Sequence, residues 1–300
     1  MAVSASLLRP DLVFLPTALG AIPSPFTPLV STILDTMPDR LPPEIVEVGA
    51  SAKYMTWMSA KLARTIITIS EWSKRDLVEI YGLAPEKIQV TYLGYDKALY
   101  NQTPPDAEAS EALLARLGIR RPFILHHGMV QLRKNVHRLI EAADRVMEEN
   151  RDFEVQLVLA GPMGLGYERI LQARESSNNC RQMIVTGALP DADLALLVKN
   201  AHLCVIPSLY EGFCLPMVEA MACGVPTVAS SASCIPEVSG GILEYFDPYS
   251  VEGMADVILR GLQDSEMRDR LKRMGSNRAS EFSWGRCAQE TLRVFRDAVF

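Results

Sequence analysis

The chain has 300 residues, of which 48% are hydrophobic, and this is enough to build two domains that each bury a core. Its formal net charge of −6 at pH 7 argues against a general nucleic-acid-binding protein, because such proteins need a basic surface to displace the counterions of the phosphates. We therefore expect a globular protein that does not bind nucleic acid. The net charge still permits a local basic pocket.

Membrane spans and secretory signals are not predicted from the sequence. The most apolar region near the N-terminus, residues 12–30, is interrupted by prolines and falls short of the roughly 20 apolar residues that a spanning helix needs. No basic residue precedes Arg9, which is not typical of a secretory signal. The six cysteines form no Cys-x-x-Cys pair and lie mostly among apolar residues, as expected for reduced thiols in a core. We therefore expect a cytoplasmic protein.

Short apolar runs alternate with helical patterns along the chain, which is typical of βα units built around a parallel sheet. In the first hundred residues, strands are predicted at 12–15, 29–33, 65–69 and 88–92. Helices are predicted at 45–64 and 71–81. Ser70 precedes the second helix and is a residue type that caps helix N-termini well.

The helix predicted at 45–64 mixes cations with large apolar residues. Its cations are Lys53, Lys61 and Arg64, and Met55, Trp57 and Met58 lie between them. Such a helix could dock on anionic lipid. We favour a helix packed into the core with basic edges, and peripheral contact with the inner face of a membrane stays an open alternative.

The composition changes at residues 101–109, which are polar and contain Pro104-Pro105, so a linker is predicted there. A second run of βα units follows. Its predicted strands are 123–126, 155–160, 183–186, 203–207, 227–229 and 241–244. Its predicted helices are 135–149, 191–201, 216–223 and 251–262, with a terminal helix at 284–299. The fold class is therefore α/β, with two doubly wound domains whose ligands bind at the carboxyl ends of the strands.

The stretch YEGFCLPMVEAMACG, residues 210–224, places Glu211 in a loop and Glu219 inside the helix that follows. Pro216 suits the first helical position and Gly224 suits the left-handed residue that ends a helix. The loop and first turn then present free backbone N–H groups that attract phosphate. Glu219 could reach the ribose of a nucleotide diphosphate, and Glu211 the group that the diphosphate carries. Two acids that merely lie in solvent and complement the helix dipole are an equally good interpretation of this spacing alone.

A longer version of this stretch, SLYEGFCLPMVEAMACGVPTVAS, resembles the signature of the family 4 retaining glycosyltransferases, also described as glycosyltransferase group 1. The resemblance extends over about residues 11–299. Its further matches are ITIS at 67–70, SKRDL at 73–77, VTYLG at 90–94 with Asp96, RKN at 133–135, LAGP at 159–162 and FSW at 282–284. The resemblance implies the GT-B fold, in which two Rossmann-like domains face each other across a cleft. We place these domains at 1–100 and 101–282, with a helix at 283–300 that crosses back to the first.

The resemblance also implies roles for the residues of the signature. Glu211 would contact the transferred sugar and Glu219 would bind the ribose. The backbone amides around Gly212, Phe213 and Leu215 would approach the sugar and the diphosphate. Cys214 stands where the family usually has glycine, and we expect its small side chain to be tolerated.

A basic loop, GMVQLRKN at 128–135, lies between a predicted strand and a predicted helix. Arg133 and Lys134 can neutralise a departing diphosphate there. The alternative is a basic first turn in solvent, which is less favoured because cations oppose the dipole at a helix N-terminus. By resemblance Lys134 is the pyrophosphate lysine and the backbone of Gly128 lines the same site. Many members have arginine where this chain has Met129, and we expect Arg133 to supply part of that charge.

Three other regions are candidates for ligand contact. By resemblance, the backbone from Thr186 to Leu189 lies beside the base of the nucleotide. His126 and His127 end a strand without an identifiable acidic partner, so a structural role is favoured over ligand contact. His137 and His202 have no ligand spacing with each other or with cysteine, so no metal site is predicted.

Two departures from the family pattern concern the first domain. Many relatives have histidine where this chain has Leu34, although Asp35 is kept. The first domain is also shorter than in relatives, so a protein partner that completes its sheet is one hypothesis.

The expected function is a retaining transferase that moves a hexose, with mannose as the candidate, from a GDP-sugar or UDP-sugar to a glycan or a lipid-linked acceptor. Such a reaction needs no metal and no further cofactor, and it belongs to polysaccharide biosynthesis. The alternative is a catalytically impaired homologue that binds a nucleotide sugar or acts as a subunit of a transferase complex. A nucleotide-sugar 2-epimerase is disfavoured by the RKN sequence at 133–135.

Overall fold

The structure is a computed structural model that describes residues 10–18, 27–150 and 154–300. Within these residues it is an α/β protein with ten strands in two parallel sheets, as predicted. By contacts, the chain divides into two units. The first unit comprises Met1–Gly94, Glu211–Phe213 and Phe282–Phe300, and the second comprises Tyr95–Tyr210 and Cys214–Glu281. The predicted domain limits at residues 100 and 282 stay predictions, and the contact boundary falls after Gly94.

The first unit is built on a sheet of four parallel strands in sequential order. The strands are β1 (Val13–Leu15), β2 (Leu29–Thr32), β3 (Thr65–Thr68) and β4 (Ile88–Val90). Its helices are α1 (Met37–Arg40), α2 (Ala50–Leu62), α3 (Glu71–Tyr81) and α12 (Trp284–Val299). Helix α3 begins as predicted, because the Ser70 hydroxyl accepts a hydrogen bond from the Ser73 amide at 3.1 Å.

Both faces of this sheet are covered, since successive residues of a strand point to opposite faces. Leu29 and Ile66 pack in a core cluster with residues of α2 and α3. Val30 and Ile67 pack instead against Val294 and Ala298 of α12. The C-terminal helix thus closes one side of the first unit's sheet.

Helix α2 differs from its prediction in two ways. It begins at Ala50 rather than near residue 45, and Ser59 and Ala60 are its only fully buried residues. Tyr54 is 60% exposed and Trp57 is 41% exposed, and their rings stack with centroids 5.9 Å apart. The prediction of a helix packed into the core is therefore wrong for its aromatic face.

The second unit is built on a sheet of six parallel strands. The strands are β5 (Phe123–His127), β6 (Gln156–Ala160), β7 (Met183–Gly187), β8 (Leu203–Ile206), β9 (Thr227–Ser230) and β10 (Glu244–Phe246). The helices are α4 (Ala107–Leu117), α5 (Val136–Glu149), α6 (Tyr167–Glu175), α7 (Asp191–Lys199), α8 (Leu215–Ala222), α9 (Ile235–Ser239), α10 (Val251–Gln263) and α11 (Ser265–Ser280). The strand order is β7-β6-β5-β8-β9-β10. This is the doubly wound order 3-2-1-4-5-6, with its reversal between β5 and β8.

Three predictions for this unit are corrected by the structure. The strand predicted at 241–244 begins only at Glu244, because Gly240 and Gly241 both adopt left-handed backbone with φ of 71° and 72°. The predicted linker already turns into α4 at Ala107, where the Asp106 side chain accepts from the Ala109 amide. Helices α4, α6, α9 and α11 were not predicted.

No helix in the described part of the chain is long and apolar enough to span a membrane.

Candidate functional site

The reversal of strand order between β5 and β8 marks the place where a doubly wound sheet binds its ligand. The two loops that leave the carboxyl ends of these strands carry most of the predicted site residues. The first runs from Gly128 to Asn135, between β5 and α5, and the second runs from Pro207 to Cys214, between β8 and α8. The sheet topology therefore brings the starts of both loops to the same edge of the second unit's sheet.

At this edge of the sheet, the loop after β5 packs backbone against backbone on the loop after β6. The Gly128 amide donates to the Ala160 carbonyl at 2.9 Å. A Cβ atom at Gly161 would lie 1.9 Å from the carbonyl oxygen of Gly128, and Gly161 has a φ of 151°. Only glycine fits such an approach. The loops after β5 and β6 therefore pack main chain against main chain, and this packing fixes the position of Gly128.

Lys134 and Arg133 lie on a short 3-10 turn, Leu132–Lys134, that leads into α5. Lys134 is buried, with 7% of its surface exposed. Asn135 follows in left-handed backbone, and its side-chain amide donates to the carbonyls of Pro207 and Pro248 at 3.0 and 2.7 Å. These bonds fix the lysine on a rigid turn at the carboxyl end of β5.

The guanidinium of Arg133 ties the two loops together. Its Nη1 donates to the Tyr210 carbonyl at 2.9 Å, and the Leu209 amide donates to the Arg133 carbonyl at 3.0 Å. Arg133 therefore positions the loop after β8, and its share in neutralising a diphosphate stays a prediction.

The N-terminus of helix α8 lies beside Gly128. The helix begins at Leu215, one residue earlier than predicted, so Pro216 takes the second helical position. A Cβ atom at Gly128 would lie 3.4 Å from Cγ of Pro216. The first amides of a helix have no partner within the helix and carry its positive dipole end. Helix α8 ends at Ala222, and Gly224 just beyond it has a φ of 69°, the left-handed backbone that was predicted there.

Glu219 lies just over one helical turn into α8, and its carboxylate faces His127. The distance from Oε2 of Glu219 to Nε2 of His127 is 3.3 Å, and Nδ1 of His127 lies 3.8 Å from the Cys204 sulfur. Burial and the nearby charge of Glu219 both raise the pKa of Tyr100. No acidic partner of His127 was identified from the sequence, and the structure supplies one 92 residues away. His127 thus orients the carboxylate that was predicted to hold the ribose.

The segment Glu211–Phe213 groups with the first unit. Phe213 is buried, and its ring makes an edge contact with Phe282 at a centroid distance of 5.2 Å. A Cβ atom at Gly212 would lie 3.0 Å from Cβ of Asp35. The Phe213 side chain is thus a core element, and its predicted contribution to ligand binding is limited to its backbone.

The described residues bring together Gly128, Lys134, Leu215 and Glu219 around the strand-order reversal of the second unit. Leu189 follows β7, which lies at the edge of the sheet and two strands from β5. Its contact with the base of a nucleotide stays a prediction, as do the ligand contacts of the other residues. In the described ranges, no group of three or more His, Cys, Asp or Glu residues could hold a metal ion.

The site can attract and orient a diphosphate from two directions. Lys134 supplies a buried cation on a fixed turn, and α8 supplies amides at its positive end. Glu219 adds an acceptor for hydroxyl groups one turn further along, where the ribose of a nucleotide would lie.

A family model described as glycosyl transferases group 1 matches residues 111–278. The chain is 30% identical over 261 residues to the O-antigen chain mannosyltransferase B of Escherichia coli, covering 87% of this chain and 67% of that protein. It is 32% identical over 249 residues to an MMP alpha-(1->4)-mannosyltransferase of Mycolicibacterium hassiacum, covering 81% of this chain and 57% of that protein. It spans 29% of a serotype-specific mannosyltransferase WbdA of Escherichia coli, at 32% identity over 78% of this chain.

Solved structures with similar folds are less similar in sequence. A sucrose-phosphate synthase from Thermosynechococcus elongatus matches with a TM-score of 0.79 at 20% identity, covering 99% of this chain and 75% of that one. Alr3699/HepE of Anabaena, solved in complex with UDP, matches with a TM-score of 0.76 at 21% identity, with the same two coverages of 99% and 75%.

Proposed function

The chain belongs to the group 1 glycosyl transferases, and from this premise we propose that it transfers a hexose from a nucleotide diphosphate sugar to a glycan or a lipid-linked acceptor. Its fold is the GT-B fold that the sequence predicted. Three of its relatives are named mannosyltransferases, and mannose is therefore the hexose we propose. The donor is a GDP-sugar or a UDP-sugar, and no cofactor takes part.

This proposal rests on one observation. Lys134, the start of α8 and Glu219 all lie near the carboxyl ends of β5 and β8, where the strand order reverses. A leaving nucleoside diphosphate develops negative charge, and a cation and helix amides held in place before the reaction stabilise that charge without reorganisation. Lys134 and the first turn of α8 take this role. Glu219 holds the ribose and so keeps the diphosphate in register with them.

The reaction breaks the bond between the anomeric carbon of the hexose and the diphosphate oxygen. The acceptor hydroxyl attacks from the face that the diphosphate leaves, so the anomeric configuration is retained. The proton of the acceptor hydroxyl passes to the departing phosphate. Glu211 contacts the transferred hexose and balances the positive charge that develops on its ring.

The alternative is a homologue that binds a nucleotide sugar without transferring it. It was suggested by Leu34 and Met129, which replace a histidine and an arginine of many relatives. The similarity to named transferases over most of the chain does not favour it.

Slow hydrolysis of the donor distinguishes these two functions. The full chain is incubated with GDP-mannose and, separately, with UDP-glucose, and the release of nucleoside diphosphate is measured. We expect release from one donor, a loss of about 100-fold or more in Lys134→Ala and Glu211→Gln, and unchanged release in Lys97→Ala, which removes an exposed lysine. Tight donor binding without any release would support the alternative instead.

Contact with a membrane is proposed for the exposed face of α2. Tyr54, Met55, Trp57 and Leu62 are exposed there, and Lys53, Lys61 and Arg64 are the cations of the same region. Co-sedimentation with vesicles that contain phosphatidylglycerol should fall at least fivefold in the double variant Tyr54→Ser, Trp57→Ser. Equal sedimentation of both proteins would refute the contact. A protein partner that completes the first sheet also stays a proposal.

A further inference from the structure

The histidine that ends β5 connects two strands and a helix of the second unit. His127 is 1% exposed, and its ring lies between a thiol on the neighbouring strand β8 and a carboxylate on α8. Leu125 pairs with Cys204 in the register of β5 and β8, so the side chains of Cys204 and His127 point to the same face of the sheet. The imidazole is therefore held in one place at the carboxyl end of β5.

The two contacts of this ring determine where its proton lies. An ionised carboxylate only accepts hydrogen bonds, so the distance of 3.3 Å between Nε2 of His127 and Oε2 of Glu219 requires a proton on Nε2. Nδ1 of the neutral ring is then an acceptor, and its donor is the Cys204 thiol, whose sulfur is 3.8 Å away. Burial raises the pKa of this thiol, which therefore keeps its proton. A thiol, an imidazole and a carboxylate thus form one chain of hydrogen bonds.

The carboxylate at the end of this chain has one oxygen left for a ligand. The Glu219 side chain is 19% exposed, and its Oε1 has no hydrogen-bond partner in the part of the chain that the structure describes. A partly buried carboxylate that is held through one oxygen does not rotate freely, so the other oxygen keeps its direction. Such an acceptor is oriented for a hydroxyl group before the ligand arrives, which lowers the cost of binding.

We propose that His127 is a positioning residue that determines the affinity of the donor site for the ribose of a nucleotide. The ring holds Glu219 so that Oε1 accepts a ribose hydroxyl, and it acts on neither the diphosphate nor the transferred hexose. This role rests on the proposed function, which assigns the ribose to Glu219. It follows that His127 contributes to binding only when the ligand carries ribose hydroxyls.

Calorimetric titration of the full chain with UDP, GDP and their 2′,3′-dideoxy analogues tests this proposal. We expect one ribonucleotide to bind, and its dideoxy analogue to bind about tenfold more weakly. His127→Leu should weaken the ribonucleotide by about tenfold, since it removes a hydrogen bond to a charged acceptor. The same variant should change the affinity for the dideoxy analogue by less than about twofold, because that ligand offers no ribose hydroxyl to Glu219.

Two further variants separate positioning from a structural role. His127→Gln keeps a side-chain N–H near the place of Nε2 and should retain the ribonucleotide affinity to within about threefold. His126→Leu removes the preceding histidine, which is equally buried but points to the other face of the sheet, where its Nδ1 lies 3.2 Å from the Val205 carbonyl oxygen. This matched control also loses a buried imidazole, and it should leave the affinity for both ligands unchanged.

A double-mutant cycle connects the effect of His127 to the carboxylate. Glu219→Ala should weaken the ribonucleotide at least as much as His127→Leu does. Adding His127→Leu to Glu219→Ala should weaken it no further, because the histidine acts through the carboxylate.

The proposal is overturned if His127→Leu weakens the ribonucleotide and its dideoxy analogue equally, which is the result of a merely structural role. It is also overturned if the effects of His127→Leu and Glu219→Ala add, or if His127→Leu binds the ribonucleotide as tightly as the unmodified chain does. In these cases the unmodified chain still binds a nucleotide, so the proposed function is not contradicted. If the unmodified chain binds neither UDP nor GDP, the proposed function fails together with the role of His127.

Discussion

At the scale of single residues, Cys214 has an unusual conformation. It precedes α8 with a φ of 69° and a ψ of 66°, in the left-handed region, and it is buried. A residue with a Cβ atom is strained there by roughly 1–2 kcal/mol, whereas glycine is not. This accounts physically for the glycine that the family usually has at this position.

We predict that Cys214→Gly raises the free energy of unfolding by about 1 kcal/mol relative to Cys214→Ala, which keeps the strain and also removes the thiol. Urea denaturation of the two variants measures the difference. Equal stability would mean that the backbone of this turn has no left-handed strain to release.

His137 is a residue whose protonation opposes folding. It is buried, its Nδ1 has no partner in the described part of the chain, and burial together with Arg138 and Arg169 lowers its pKa to about 4. An unfolded histidine binds a proton below a pH of about 6.5. Between these two values the unfolded chain takes up more protons, so the free energy of unfolding falls as the pH falls.

The prediction for His137 is that the unmodified chain loses about 2 kcal/mol more stability than His137→Gln between about pH 7.5 and about pH 5. Urea denaturation of both proteins at the two pH values measures this difference. The contributions of the other titrating groups cancel because both proteins contain them. Parallel losses in both proteins would show that His137 is protonated in the folded chain.

At the scale of secondary-structure elements, the start of α12 depends on a glycine outside the helix. A Cβ atom at Gly94 would lie 2.0 Å from the backbone nitrogen of Trp284 and 2.4 Å from the carbonyl carbon of Ser283. Ser283 caps α12, since its side chain accepts from the Arg286 amide. The backbone at this point is therefore not free to move away.

We expect Gly94→Ala to lower the free energy of unfolding by about 3 kcal/mol, as severe overpacking does. Gly285→Ala is the matched control, because nothing lies within 4 Å of its Cβ position in the first turn of the same helix. It should stabilise by roughly 0.5–1 kcal/mol. Thermal denaturation measures the stability of both variants. If Gly94→Ala were as stable as Gly285→Ala, α12 would be able to begin elsewhere.

Secondary-structure elements were predicted correctly where the sequence carries a clear cap and a periodic apolar pattern. Helices α3 and α12 have strong N-caps and a periodic apolar stripe, and their predicted limits match the structure. Helix α11 buries only Met267, Leu271, Gly275 and Ala279, one narrow row with two small residues, so its pattern was too weak to predict. The pairing of His127 with Glu219 could not be predicted, because it depends on which strands become neighbours in the sheet.

At the scale of the whole molecule, strand order explains why distant motifs form one site. The sequence predicted the strands, the loops that follow them and the roles of Lys134 and Glu219 by resemblance. It could not by itself place β8 beside β5, and that adjacency is what brings the lysine turn to the N-terminus of α8. The exposed aromatic face of α2 was likewise visible only in the folded chain.

The central claim is that the second unit holds a nucleotide diphosphate sugar between Lys134 and α8, with Glu219 on the ribose. Thermal denaturation of the full chain with UDP, GDP, ADP and their sugars tests it most directly. We predict that one nucleotide and its sugar raise the midpoint by about 5 °C at a hundredfold excess over the dissociation constant. The shift should vanish in Lys134→Ala, shrink in Glu219→Gln and persist in Lys97→Ala. No shift with any nucleotide, or a full shift in Lys134→Ala, would contradict the claim.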